Sequence, residues 1–247
     1  MPLTGVFLVP LTPTSTSPVQ ALLSHISLNF PSVPLPAYTV AYQLFASTSS
    51  LLPDAQSQIP RQFCQLLSTS HHANTTYVGV TRPSAGVPPV PAAETTLITI
   101  PASSAGSFFQ LLNGKLQSLW AHRQSLNLDN GTTLSLQHGR FTFRIGELKQ
   151  GVRISTSPPN LRGVLIEITD EAGTGQDGNL GSDEDYAMLR ALLDRLVEGS
   201  GVALDQARLT ACYTQLEGES TDRLRASGPT SSALAELYMD VLRGARN

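Results

Sequence analysis

Residues 131–146 read Gly131-Thr132-Thr133-Leu134-Ser135-Leu136-Gln137-His138-Gly139-Arg140-Phe141-Thr142-Phe143-Arg144-Ile145-Gly146. Polar and apolar side chains alternate through Thr132–Leu136 and again through Phe141–Leu148, where Phe141, Phe143 and Ile145 stand against Thr142, Arg144 and Gly146. A period of two marks β-strands, and His138-Gly139 between the runs supplies the turn of an antiparallel pair. Val152–Ser155 and Val164–Thr169 continue this meander. Upstream, Gly5–Val9, Ala37–Phe45, Gln62–Leu67, Thr75–Thr81 and Thr95–Ile100 are short, partly β-branched or aromatic, and bounded by Pro, Ser or Gly, which also predicts strands.

Helices punctuate this pattern. One is expected near Pro18–Phe30, with Leu22, Leu23 and Ile26 on one face. A second is expected over Gly106–Gln124, where Phe108, Leu111, Leu112, Leu116, Leu119 and Trp120 recur at three- and four-residue spacing. Ser103 or Ser104 would cap it, and Asn113-Gly114 would weaken its middle by about 1 kcal/mol. Asp183–Val197 and Ser231–Arg243 complete the set, the former opening on the acids that favour a helix N-terminus. Many short strands without regular βαβ alternation predict an α+β fold: an antiparallel β-barrel-like sheet of about eight to ten strands flanked by helices. The chain reads as a single domain over 1–247 with loop insertions near 47–60, 82–91, 170–182 and 214–229.

Charge narrows the function. The 247 residues carry 16 Lys plus Arg against 19 Asp plus Glu, a net charge of −3, and only 14% are charged, against about 25% in an average soluble domain. That acidic balance argues against a general nucleic-acid binder. The first hundred residues hold four charges, Asp54, Arg61, Arg82 and Glu94. A chain of this size buries about 70–75% of its unfolded surface and needs no staple. Cys64 and Cys212 fit no metal spacing and read as free, buried thiols. Met1–Leu11 lacks the basic start of a signal peptide, and no run reaches the roughly 20 apolar residues of a membrane span; an intracellular protein is expected.

The chemical motifs dissolve on inspection. Gly173-Thr174-Gly175-Gln176-Asp177-Gly178 has dinucleotide-loop spacing and follows a strand, but the next helix starts only near Asp183. Six acids and no base surround it over residues 170–185, a field that repels pyrophosphate. Read as a calcium loop, the same stretch places Met188 where a bidentate Glu belongs. His71-His72 lies in a Ser/Thr loop and is expected as an exposed turn, and no serine nucleophile elbow occurs. A triphosphate-hydrolysing tunnel needs inward Glu pairs and several cations; this chain has two lysines, Lys115 and Lys149, and its best strand offers the single carboxylate Glu167. No catalytic, cofactor-binding or metal-ligating residue is therefore assigned, no cofactor is expected, and Glu167→Gln should alter no catalytic rate.

One series of segments carries a resemblance. Lys115-Leu116, Leu119-Trp120 and Arg123-Gln124 lead into Gly131-Thr132-Thr133-Leu134, then Phe141-Thr142-Phe143-Arg144-Ile145-Gly146, then Leu161-Arg162-Gly163-Val164-Leu165-Ile166-Glu167-Ile168. With the opening Met1-Pro2-Leu3-Thr4-Gly5-Val6-Phe7 and the closing Leu237-Tyr238 helix, the series resembles the Mediator complex subunit 20 family of the head module, in its fungal form. That resemblance implies a β-barrel flanked by helices and a nuclear, non-enzymatic subunit of a transcription coactivator. It also implies a heterodimer with Mediator subunit 18, through it contact with the C-terminal helix of subunit 8, and proximity to RNA polymerase II and the TATA-binding protein. Neither direct sequence-specific nucleic-acid binding nor membrane binding is implied. The sequence names no interface residues, although permanent interfaces are poor in charge at their centres, which directs attention to the first hundred residues. A barrel binding a small ligand is the alternative. Trp120 is expected in the core, where its truncation to Ala would cost about 3–5 kcal/mol.

Overall fold

The computed structural model describes residues 3–11, 17–48, 61–82, 94–151, 160–172, 183–202, 210–213 and 229–244. In chain order the elements are β1 (Leu3–Pro10), α1 (Val19–Asn29), β2 (Ser32–Ser47), β3 (Phe63–Thr69), β4 (Thr75–Arg82), β5 (Glu94–Pro101) and α2 (Ala102–Gln110). They continue with β6 (Trp120–Leu136), β7 (Phe141–Gln150), β8 (Asn160–Asp170), α3 (Asp183–Val197), β9 (Thr210–Tyr213) and α4 (Pro229–Gly244). The nine strands form one sheet in the order β5-β4-β3-β2-β6-β7-β8-β1-β9, antiparallel throughout. The expected α+β fold with a curled antiparallel sheet is what the chain adopts.

Both faces of the sheet are covered, so most strand positions are apolar or small. On the convex face, α1 and α3 pack over Phe7, Phe143, Ile145 and Ile166. Further along that face, α2 and the turn after it cover Phe45, Cys64, Leu66 and Val78. Helix α4 packs on the face opposite α1, α2 and α3. Its Leu237, Tyr238, Met239, Val241 and Leu242 join Val6, Leu8, Tyr42, Leu44, Leu67 and Leu165 in one buried cluster, and it touches β1 and β9 as well as β2 to β5. It therefore lies within the concavity, bridging the two ends of the sheet.

The helix expected over Gly106–Gln124 stops early. After Gln110 the backbone widens into a π-helical turn, Leu111–Lys115, closed by Leu116 N–H donating to Leu111 O at 3.0 Å. Asn113-Gly114 sits inside that turn, and β6 begins at Trp120. The helical spacing of Leu119 and Trp120 was coincidental; Leu126 and Leu128 alternate onto the concave face as strand residues. Nor do Ser103 and Ser104 cap α2, whose N-cap is Pro101 without a side-chain bond. The four-residue β9 gave too short a pattern to read. Val152–Ser155, the acidic loop at 173–182 and most of the expected insertions lie outside the described residues.

Strands β1 and β8 approach too closely for a side chain at Gly163, where an added Cβ would lie 2.5 Å from Val9 O and 3.3 Å from Pro10 Cα. Both obstacles are backbone and cannot rotate away. Gly163→Ala should cost about 2 kcal/mol in a denaturant titration; an unchanged midpoint would mean the strands sit further apart.

Candidate functional site

Strand alternation aims two charged residues into the concavity. Arg144 on β7 stands directly opposite Glu167 on β8, while their neighbours Phe143, Ile145, Ile166 and Ile168 face α1 and α3. Glu167 is 1% exposed. Its Oε1 accepts from Arg144 Nη1 and, at 3.3 Å, from Thr169 Oγ1, which lies 3.1 Å from Thr4 Oγ1. Its Oε2 accepts from the Tyr238 hydroxyl of α4. His71 Nε2 lies 3.5 Å from the same oxygen, at ion-pair distance without hydrogen-bond geometry, and its ring sits 6.3 Å from those of both Tyr38 and Tyr238. His71 thus occupies a turn, as expected, but its ring points inward.

Burial by itself would raise the Glu167 carboxyl; His71, Arg144 and Tyr238 outweigh it and hold the group at about 2, below its ordinary 4.5. Burial and the Glu167 charge push the hydroxyls of Tyr38 and Tyr238 well up, so both stay protonated. A carboxylate whose two oxygens already accept hydrogen bonds inside a helix-filled concavity is a structural anion, poorly placed to take a proton from a substrate. A second polar set lies on the same face: Tyr42 OH donates to Gln65 Oε1 at 2.7 Å, and Gln65 Nε2 donates to Thr81 Oγ1 at 3.0 Å. Gln124 Nε2 donates to Leu242 O at 3.2 Å, fastening the far end of α4. Cys64 is buried, which raises its thiol to about 11 and leaves it unreactive. Among the described residues no three His, Cys, Asp or Glu side chains gather as a metal site, and no helix is long and apolar enough to cross a membrane.

The sequence displayed Arg144 and Glu167 and their alternation; it hid the β7–β8 register that pairs them and the reach of α4 to both.

Beside α2 and the turn after it, the cover of the sheet is incomplete among the described residues. An open cleft of about 740 Å³ lies there, lined by Gln43, Phe109, Asn113, Gln117, Trp120, Ala121, His122, Ser125, Asn127 and Gly151. His122 Nε2 and Ser125 Oγ are 3.0 Å apart, and the imidazole stands edge-on to Phe45 and Phe109. Trp120, expected in the core, is only partly buried at the border of the cluster beneath α2.

Two consequences are measurable. Above pH 4.5 Glu167 is ionised in both folded and unfolded chains, and its contribution is full; as pH falls from 4.5 toward 2 the unfolded chain takes the proton first and that stability is lost. The loss should be about 3 kcal/mol, and Glu167→Gln, which strands Arg144, should cost a similar amount at pH 7 and flatten the acid limb. Trp120→Ala should cost about 1–2 kcal/mol rather than the loss expected of a core residue, because the partly buried ring borders the open cleft and its removal leaves no closed cavity; a larger loss in calorimetry would restore it to the core.

The model for the family described as TATA-binding related factor (TRF) of subunit 20 of Mediator complex matches residues 1–243. No curated protein matches the chain. Among solved structures, a protein of Pyrococcus horikoshii OT3 aligns at 7% identity and TM-score 0.38, covering 79% of this chain and 90% of that one. A putative adenylyl cyclase from Hippeastrum, described as having a dominant triphosphatase activity, aligns at 11% identity and TM-score 0.41, covering 90% and 93%. Likenesses this distant say nothing of what this chain does. The family match, by contrast, takes in both faces of the sheet and helix α4, and the chain belongs to the Mediator subunit 20 family.

Proposed function

We propose that the chain is a non-enzymatic structural subunit of the Mediator head module, of the fungal type, that pairs with subunit 18 in the nucleus and helps connect regulators to RNA polymerase II. The family is one of Mediator subunits acting in transcription regulation, and that match carries the reading. The pairing, the contact through subunit 18 with the subunit 8 helix, and proximity to the TATA-binding protein are the finer parts of the proposal. So is the single domain over 1–247.

Two physical features support a binding role. The interior carboxylate is tied to Arg144 and Tyr238, and α4 fills the space that a small ligand in a barrel would occupy. Large hydrophobics exposed in the first hundred residues, where charge is scarcest, include Leu28, Val33, Leu35 and Ile98. Burying such side chains is the ordinary driving force of permanent association, at about 25 cal/mol per Å².

Co-expression with subunit 18 of the same source, read by size-exclusion chromatography with light scattering, should give a 1:1 complex that survives dilution. Val33→Glu combined with Leu35→Glu should weaken that complex while leaving the melting temperature of the free chain within a few degrees, both sites being exposed. A monodisperse chain indifferent to subunit 18 would overturn the pairing.

A further inference from the structure

Among the described residues, three buried side-chain nitrogen and oxygen atoms have no hydrogen-bond partner in the protein: Thr133 Oγ1, His71 Nδ1 and His71 Nε2. Such atoms are few in folded proteins and costly, so two of these side chains beside one ion pair call for a cause. Leu134 and Leu136 face α1 and α3, so strand alternation turns Thr133 into the concavity, where it stands directly opposite Arg144. Arg144 in turn stands opposite Glu167, and His71 Nε2 lies 3.5 Å from the second oxygen of that carboxylate. Both side chains therefore neighbour the Arg144–Glu167 pair. Among the described residues the guanidinium makes its one hydrogen bond to Glu167 Oε1, which leaves most of its N–H donors unspent.

The spot has a wall and a way in. The Tyr38 ring lies over Gly131, two residues before Thr133, and stands 6.3 Å from the His71 ring. Leu35, the β2 partner of Thr133, is exposed, as is Val33 beyond it, so solvent reaches the rim although Thr133 itself is only 3% exposed. The chemistry selects the occupant. Arg144 and Glu167 offset each other's charge, and nothing draws an ion there. What is unmet is a hydroxyl that donates and accepts, guanidinium N–H groups that donate, and an imidazole. A small neutral molecule able to donate and accept answers all of them, and water that bridges buried polar groups is an ordinary part of folded proteins.

We propose that ordered water is bound at the rim of the concavity between Thr133, Arg144 and His71, and that it extends the Arg144–Glu167–Tyr238 network to β6 and to the Ser70–His72 turn. Thr133 and His71 are then positioning residues. Through the water, β6 and the turn after β3 are tied to the carboxylate that accepts from Tyr238 of α4.

A crystal structure of the full chain, fine enough to show solvent, should place water within hydrogen-bond distance of Thr133 Oγ1 and of Arg144 or His71. A double-mutant cycle in denaturant gives a second reading. Removing an unpartnered hydroxyl is neutral or stabilising, whereas removing one that holds water is costly. Thr133→Val should therefore lower the folding equilibrium constant by about fivefold or more, and Thr133→Ser, which keeps the hydroxyl, should lower it distinctly less. Combined with His71→Phe, Thr133→Val should lose clearly less than the product of the two single losses, because both variants release the same water. If Thr133→Val does not fold, the crystal structure, which needs no variant, decides. A dry site, a Thr133 hydroxyl turned to a protein acceptor, an unchanged or raised constant in Thr133→Val, or single losses that simply multiply would each overturn the proposal.

Discussion

A curved sheet with two apolar faces has to bury both, and here one of them can be reached only by a helix entering the concavity. That constraint governs the molecule. Helix α4 meets it, placing Tyr238, Val241 and Leu242 against residues from both ends of the sheet. Because β5 and β9 are the two ends of the strand order, α4 also ties together edges that no strand pairing joins among the described residues.

The polar contacts of α4 specify where it sits more than they strengthen the fold. Removing Glu167 and Arg144 from water costs several kcal/mol per ion, so the intact pair adds little beyond what well-packed apolar side chains of the same size would give, although breaking it is costly. Their effect is on uniqueness. Tyr238 reaches Glu167 in one register of α4 alone, and Gln124 holds the carbonyl of Leu242 at the other end. A helix that slid by one turn would leave a buried carboxylate short of a donor, a penalty larger than most packing defects. The network therefore explains why a chain with so few charges places one at the centre of its interior.

Much of the sheet was legible in the sequence because its period of two is strong where one face is large and apolar, as in Phe141, Phe143 and Ile145. Strands β1 to β5, β7 and β8 follow that pattern within a few residues at most ends; β2 runs further back to Ser32 through Pro34 and Pro36, where propensity argues against a strand and only pairing with β6 sustains it. The first five residues of β6, Trp120–Gln124, were misread as helix because Leu116, Leu119 and Trp120 satisfy a helical spacing that Asn113-Gly114 interrupts. Glu167 was visible, but pairing it with Arg144 needs the register and pairing it with Tyr238 needs the path of a helix about seventy residues later. The cleft beside α2 carries no local signature, since folding alone brings Gln43 of β2, Phe109 of α2 and the start of β6 to one place.

Native-state hydrogen exchange on the full chain addresses the role of α4 most directly. If α4 is an integral filling of the concavity, the amides of Tyr238, Val241 and Leu242 will exchange only by global unfolding, with the same free energy as those of Ile145 and Ile166 in β7 and β8. Exchange of the α4 amides at a distinctly lower free energy, with the strands still protected, would show that the sheet stands without it and would contradict this architecture.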